Sequence, residues 1–130
     1  MSLKLQNNSL SGSLPSVIGT YQKLSILDLS HNTLEGIVLP TFFMSPTLTV
    51  LNLSRNKFSR NISLQSTHSM ESILLSSQSG LRIVDLSNNS LIGPLPPDIS
   101  NLQKHEFLIL MMNKLSREIH SEICKLQALE

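Results

Sequence analysis

Two carboxylates, Asp28 and Asp85, have the residue type and spacing that come nearest to catalytic chemistry. Each lies between two aliphatic residues in a short alternating run, so both are predicted to point outward from a strand. With one strand between theirs, and about 4.8 Å per strand, they would lie roughly 10 Å apart, which approaches the spacing in inverting glycoside hydrolases. Asn52 would separate them in an open, water-filled position. The pair therefore does not predict an enzyme.

Metal and cofactor chemistry are not predicted either. The four histidines are expected on different faces, and none pairs at helical spacing with another metal ligand. Cys124 is alone, so it cannot form a disulfide within the chain, and it is predicted to be a small buried residue. No glycine-rich phosphate loop or nucleophile elbow occurs. The four histidines are His31, His68, His105 and His120. We expect no cofactor, no metal and no catalytic residue.

Four asparagines are followed two positions later by serine, which is the acceptor pattern for N-linked sugar. These glycosylation candidates are Asn7, Asn52, Asn61 and Asn88. Part of the pattern arises from the repeated sequence itself. Asn61 is predicted in an exposed loop and Asn52 in the middle of a strand, so we expect Asn61 to be glycosylated more fully.

A repeated asparagine organises the whole chain. It recurs at spacings of 24, 24, 33 and 24 residues, with a leucine three positions before it and a leucine or phenylalanine two positions after it. Self-similarity at one period predicts a solenoid, in which each unit buries its apolar face only against its neighbours. The asparagine amides are predicted to form a structural ladder that satisfies backbone groups at the strand ends; its members are Asn8, Asn32, Asn56, Asn89 and Asn113.

Several positions depart from the repeat. The segment 61–80 is about nine residues longer than its counterparts in the other repeats, and we interpret it as a tolerated bulging loop or, alternatively, a binding loop. Arg60 and Arg117 replace a glycine, so an altered chain path is expected after Arg60. Ser63 and His120 stand at a proline position. His105 replaces a core leucine at a cost of roughly 1–3 kcal/mol, so the fifth repeat is predicted to be the least stable.

The outward-facing strand positions should form columns across one sheet. One column is Gln6, Ser30, Ser54, Ser87 and Met111, and the next is Asn7, His31, Arg55, Asn88 and Met112. Strands one to four present mainly polar side chains, whereas the fifth presents an apolar group, which can mark a binding surface or a contact with further repeats. The candidate partner-binding residues are Phe107, Ile109, Met111 and Met112, with Arg55 and Asp85 at the rim.

Composition excludes some partners. A net charge of +1 and a charged fraction of 15% do not predict nucleic-acid binding. No apolar run is long enough for a transmembrane helix, and no signal peptide is evident. We expect no direct membrane insertion by this segment. Residues 1–130 are predicted to be a single solenoid segment of about five 24-residue repeats, uncapped at both ends.

The pattern LxxLxLxxNxLxGxIP, carried by LSILDLSHNTLEG and LRIVDLSNNSLIGPLP, resembles the plant-type leucine-rich repeat. That repeat is found in the extracellular segments of receptor-like kinases, receptor-like proteins and polygalacturonase inhibitors. The resemblance implies an α/β-type repeat solenoid, a right-handed curved stack with a short-stranded parallel sheet on its concave face.

The resemblance also implies a function. The favoured hypothesis is a segment of a plant receptor-like kinase ectodomain that recognises a peptide, protein ligand or co-receptor through its concave face. Its location would be the extracellular side of the plasma membrane, within a longer parent in which a kinase or pseudokinase domain would lie outside this chain. The alternatives are a soluble inhibitor of a secreted enzyme and a non-functional fragment of a longer gene.

Overall fold

Each repeat contributes two short strands to the fold. The structure, a computed structural model, describes residues 1–64, 79–97, 99, 102, 104–116, 119 and 121. The first strands of the repeats are β1 (Ser2–Lys4), β3 (Ile26–Asp28), β5 (Val50–Asn52), β7 (Ile83–Asp85) and β9 (Phe107–Ile109). The second strands are β2 (Ser11–Ser13), β4 (Thr33–Gly36), β6 (Lys57–Arg60), β8 (Ser90–Gly93) and β10 (Lys114–Leu115).

The first strands form one parallel sheet in the order β1-β3-β5-β7-β9. We call this the first sheet; it is the predicted sheet on the concave face of a right-handed leucine-rich repeat solenoid. Its register follows the sequence period, since Leu27 pairs with Leu51 and Leu51 with Val84. The central residue of each interior strand is fully buried, so the alternation of the sequence places leucine or valine inside.

A second parallel sheet, in the order β10-β8-β6-β4-β2, was not predicted. Its strands are two to four residues long and mainly polar, so their sequences lack the alternation that marks a half-buried strand. They become strands because stacking aligns them: for example, the Thr33 amide donates to the Leu10 carbonyl at 2.8 Å. The second sheet is therefore a product of the tertiary arrangement.

Four of the five predicted ladder asparagines bridge neighbouring repeats, whereas the Asn8 amide nitrogen donates to carbonyls of its own repeat. The Asn32 amide nitrogen donates to the Leu5 carbonyl of the preceding repeat at 2.9 Å, and its oxygen accepts from the Leu10 backbone N–H at 2.9 Å. Asn56, Asn89 and Asn113 make the same two kinds of bond to the repeats before them. Each amide oxygen thus satisfies a backbone N–H of the preceding repeat, and each amide nitrogen adds a bond to a carbonyl that the preceding repeat's own asparagine also contacts.

Short helical segments connect the sheets on the side opposite the first. A 3₁₀ turn spans Ser16–Thr20, and helix α1 spans Pro40–Met44. Proline suits the first turn of a helix because that turn does not need its N–H. Phe42 and Phe43 of α1 are almost completely buried in the core between the leucines of neighbouring repeats.

The insertion leaves the sheet register undisturbed. Ile62 and Leu64 are buried before it, and Ser79 and Gly80 are buried after it. The Gly80 N–H donates to the Ser45 carbonyl at 2.8 Å, so the chain rejoins the stack at a fixed point. Strands β5 and β7 consequently pair directly despite the longer repeat between them.

Arg60 itself keeps the backbone conformation that the other repeats have at this position, so the expected alteration does not begin at Arg60. Arg60 has φ +73°, close to the values of Gly12, Gly36 and Gly93 at the same repeat position, and it pairs with Leu91 in the second sheet. Hydrogen bonding to β8 holds the backbone in the conformation that glycine adopts most easily. The arginine accepts the left-handed conformation, which costs a residue with a Cβ roughly 1–2 kcal/mol.

Some predictions concern residues outside those described. These are His68, Arg117, His120 and Cys124, together with most of the insertion. Within the described ranges, no helix has the length and apolar character needed to cross a membrane.

Candidate functional site

The outward side of the first sheet is held by pairs of polar side chains. The Asp28 carboxylate oxygen Oδ1 accepts from the Ser30 hydroxyl at 2.7 Å and from the Ser30 N–H at 3.0 Å. Asn52 Oδ1 does the same for Ser54, at 2.8 Å and 3.1 Å. Asp85 Oδ1 accepts from the Ser87 N–H at 2.9 Å. Local bonds of this kind stabilise the turn that follows each strand.

The prediction that the serine column faces outward is wrong for the three middle repeats. Ser30, Ser54 and Ser87 are each less than 10% exposed. The Ser30 and Ser54 hydroxyls donate to an acceptor two residues earlier instead of reaching solvent. This use of Asp28 and Asp85 in turns gives both carboxylates a structural role.

The fifth repeat lacks this pair of polar residues. Ile109 stands at the Asp or Asn position and offers no acceptor, and Met111 stands at the serine position. Met111 is 65% exposed, Met112 is 72% exposed and Phe107 is 41% exposed, while Ile109 is partly buried. The corresponding residues of strand four are less exposed and more polar. The structure thus brings the four predicted apolar residues together on one strand and the turn after it.

The two predicted rim residues lie at different distances from this group. Asp85 pairs directly with Ile109 in the parallel sheet, so it borders the apolar residues. Arg55 lies in the third repeat, and its N–H donates to the Ser87 carbonyl of the fourth. One complete repeat therefore separates Arg55 from Met112. Asp85 is adjacent to the apolar group, and Arg55 is not.

A feature missed from sequence is the backbone conformation of one outward column. Its residues Asn7, His31, Arg55, Asn88 and Met112 all have φ between +53° and +57°. Asparagine tolerates this conformation better than other residues with a Cβ, and it stands in repeats one and four. Repeats two, three and five carry His31, Arg55 and Met112 there, and all three side chains are exposed. These three side chains occupy a backbone conformation that is unfavourable for residues with a Cβ. Such conformations are common at functional surfaces.

His105 occupies the position held by Leu24, Leu48 and Leu81 and is 1% exposed. Among the described residues, neither ring nitrogen has a partner that meets hydrogen-bond geometry. Burial lowers the pKa of His105 to about 4, and the nearby Leu102 backbone counteracts this only in part. A neutral, unpaired imidazole in the core supports the prediction that this repeat carries a destabilising substitution.

An ion pair lies near the apolar strand β9. The Arg82 guanidinium forms an ion pair with Glu106, which links the fourth and fifth repeats at the edge where strand β9 begins.

His31 is exposed on the first-sheet side, whereas His105 lies in the core. In the described part of the chain, no group of three or more histidine, cysteine or acidic side chains has the geometry of a metal site.

The four sequons lie in different environments. Asn7 and Asn61 are exposed, Asn88 is partly buried, and Asn52 is partly buried on the first sheet between Asp28 and Asp85. The Asn52 amide oxygen is already engaged by Ser54. Asn61 lies at the exit from β6, outside the first sheet.

Comparisons with known proteins agree with this geometry. Two family profiles described as leucine rich repeat match residues 1–58 and residues 47–70 and 80–102. Receptor-like protein 41 of Arabidopsis thaliana is 37% identical over 113 residues, which cover 85% of this chain and 12% of that relative. The chain therefore spans only a small part of the length of the curated relatives that it matches.

Two solved structures are similar throughout the chain. One is the plant peptide hormone receptor RGFR1 in complex with RGF2, with a TM-score of 0.83 and 32% identity over 98% of this chain and 19% of that one. The other is the ectodomain of the receptor kinase SOBIR1 from Arabidopsis thaliana, with a TM-score of 0.77 and 33% identity over 98% of this chain and 65% of that one. The repeats, both sheets and these similarities establish that the chain belongs to the leucine-rich repeat family and corresponds to a segment of a plant receptor-like ectodomain.

Proposed function

We propose that this chain is the part of a plant receptor-like ectodomain that recognises a peptide or protein ligand, or a co-receptor, through its first sheet. The observation that carries the proposal is the exposed apolar group Phe107, Ile109, Met111 and Met112, bordered by Asp85. One similar structure is that of the plant peptide hormone receptor RGFR1 in complex with RGF2. The proposed location is extracellular, and the proposed role is binding, with no catalytic step in this segment.

Energetics favour the fifth strand as the anchor for a ligand. Full burial of an aliphatic or aromatic side chain contributes about 1.5–3 kcal/mol. Phe107, Met111 and Met112 are exposed before binding, so their burial by a ligand would still contribute much of this free energy. The polar residues of strands two to four are already bonded to their own turns, so they provide a hydrated surface around the anchor. Apolar anchors within a polar surround are typical of binding hot spots.

Asp85 would orient a ligand that binds to the apolar group. Its Oδ1 is bonded to the Ser87 N–H, so the carboxylate is held in place while its other oxygen faces away from that bond. A ligand that places apolar side chains on Phe107 and Met111 could present a backbone or basic donor to Asp85. Arg55 and His31, one and two repeats further along, would contact only a ligand that extends across the sheet.

The test uses random linear peptides displayed on phage and selected against the immobilised 130-residue chain. We expect selected peptides to be rich in apolar residues. We also expect them to bind the double variant Phe107→Ser with Met111→Ser at least tenfold more weakly, a difference of about 1.4 kcal/mol. The double variant should keep the melting temperature of the wild type because both side chains are exposed.

The matched control is Ile37→Ser with Ile92→Ser, which removes two similarly exposed apolar side chains from the second-sheet side. Peptide binding should survive this change. Equal loss of binding in both double variants would show that the peptides respond to general hydrophobicity. A large fall in melting temperature for the first variant would show that strand five is packed internally, and either result would contradict the proposal.

A further inference from the structure

The exit from the third repeat combines three departures from the pattern of the other repeats. Arg60 stands at the glycine position, Asn61 follows it, and Ser63 stands where Pro15, Leu39 and Pro96 stand. Together they create the sequon Asn61-Ile62-Ser63. Asn7 and Asn88 lie directly before the repeated asparagines Asn8 and Asn89, and Asn52 lies within strand β5. Asn61 is the sequon that follows both strands of its repeat.

These residues line an open notch beside the second sheet. The notch has a volume of about 390 Å³, which is within the usual range of ligand clefts, about 300–1,000 Å³. Its apolar wall includes Ile37 and Ile92, which are 44% and 46% exposed, together with Val38 and Pro40. Among the described residues, Arg60, Asn61 and Ser63 form the rest of its lining.

Asn61 is placed at the notch by a close contact with Gly93. A Cβ added to Gly93 would lie 2.5 Å from the Asn61 side-chain oxygen, so only glycine allows the amide to lie against this backbone. The Asn61 residue remains exposed. The contact directs the amide toward the fourth repeat, on the side where Ile92 is exposed.

We propose that Asn61 carries an N-linked oligosaccharide whose first sugars lie in this notch and cover Ile37 and Ile92. Sugar rings have apolar C–H faces that can shield the isoleucines from water, which is favourable in proportion to the area covered. The Arg60 guanidinium offers donors to sugar hydroxyls. The proposal rests on the extracellular location proposed above, because this modification is made during secretion.

The chemistry is a transfer from a lipid-linked oligosaccharide pyrophosphate, which the secretory pathway supplies. The bond between sugar C1 and the Asn61 amide nitrogen forms, and the bond between C1 and the pyrophosphate oxygen breaks. The leaving pyrophosphate keeps the electron pair, and the amide nitrogen loses one proton. Nothing is oxidised or reduced.

The contrast with Asn52 strengthens the assignment. Asn52 is partly buried in the first sheet, and its serine is less than 10% exposed and bonded to the Asn52 oxygen. A sugar there would also lie on the proposed ligand-binding sheet. A sugar at Asn61 would lie beside the second sheet and leave the first sheet accessible.

The test expresses the 130-residue chain behind a cleavable secretion leader in plant cells and recovers it from the medium with the leader removed. Glycopeptide mass spectrometry should find Asn61 occupied in the wild type and in Ser63→Thr, which keeps the sequon. It should find Asn61 unmodified in Ser63→Ala. Asn61→Gln serves as a second variant without the sequon that leaves Ser63 in place.

Hydroxyl-radical footprinting then tests coverage of the notch. We expect Ile37 and Ile92 to be oxidised at least threefold faster in Ser63→Ala and in Asn61→Gln than in the wild type. Val17, which is 55% exposed in the first repeat, should react equally in all samples. An unmodified Asn61 in secreted wild-type protein would overturn the proposal. Unchanged oxidation of both isoleucines despite an occupied Asn61 would overturn the packing of sugar in the notch. Peptide binding is not measured in this experiment, so either failure leaves the proposed function to its own test.

Discussion

The interior repeats and the two outer repeats of this chain share one pattern but differ in burial. Leu27, Leu51 and Val84, at the centres of β3, β5 and β7, are completely buried, while Leu3 and Leu108 at the same position of β1 and β9 are only partly buried. Later in the repeat, Ile62 is 5% exposed and Ile119 is 73% exposed. The residue types are nearly equal, so the difference comes from the number of neighbouring repeats that cover them.

The asparagine ladder shows the same contrast. Asn89 is buried and donates to the Leu53 carbonyl of the repeat before it. Asn8 is exposed and donates only to the carbonyls of Leu5 and Gln6 in its own repeat. A repeat in a solenoid obtains much of its stability from its interfaces. One residue type can therefore have different energetic weight at different positions along the stack.

The largest effect on stability is expected from His105, which lies in an outer repeat but is buried as deeply as the interior leucines. The unfolded chain has an ordinary histidine pKa near 6.5, and the folded pKa is about 4, so the unfolded state binds the proton more readily. Stability should therefore fall as pH drops from about 6.5 to about 4, by roughly 1.4 kcal/mol per pH unit and about 3 kcal/mol in total.

Urea unfolding of the wild type and His105→Leu at several pH values measures this effect. The leucine variant should be more stable and should lose this part of the pH dependence, whereas the exposed control His31→Leu should retain it. Parallel pH profiles for wild type and His105→Leu would show that the imidazole has access to water or a partner in the folded protein.

The next largest effect on stability is expected in the asparagine ladder, where an interior asparagine is compared with the asparagine of the first repeat. Asn89→Ala should lower the free energy of unfolding by about 1–3 kcal/mol because it leaves the buried Phe58 N–H without its partner and removes the bond from Asn89 to the Leu53 carbonyl, which then keeps its bond from Asn56. Asn8→Ala should cost less than about 0.5 kcal/mol, because it removes only exposed bonds within one repeat. Guanidinium unfolding curves compare the two variants. Similar losses would mean that the amide stabilises its own turn more than the interface.

The smallest expected effect concerns two residues at one repeat position within the interior. Gly36→Ala should destabilise the chain by roughly 1–2 kcal/mol because its φ of +92° is unfavourable for a residue with a Cβ. Arg60→Gly should be neutral or stabilising by up to about 1 kcal/mol, since φ there is already +73°. Thermal unfolding of both variants checks the sign. A clear destabilisation by Arg60→Gly would indicate that the arginine side chain contributes contacts that exceed the backbone cost.

Much of the fold could be predicted because the period of the sequence is the period of the structure. The recurrence from Asn8 to Asn113 gave the register of the first sheet and the ladder, and both are local consequences of stacking one unit on the next. Of the candidate site, the apolar group on strand five followed from alternation alone. The serine column did not, because the direction of a serine side chain depends on an acceptor two residues earlier.

The sequence by itself determined the solenoid, the buried leucines and the polar ladder, because those features repeat and each depends on few positions. Only the tertiary structure decided the second sheet, the left-handed conformation of Arg60 and Met112, and the position of Asn61 against Gly93. These features arise where one repeat constrains its neighbour. Hydrogen bonds and close contacts between repeats select backbone conformations that the local residues would not choose alone, and no pattern within a single repeat records that choice.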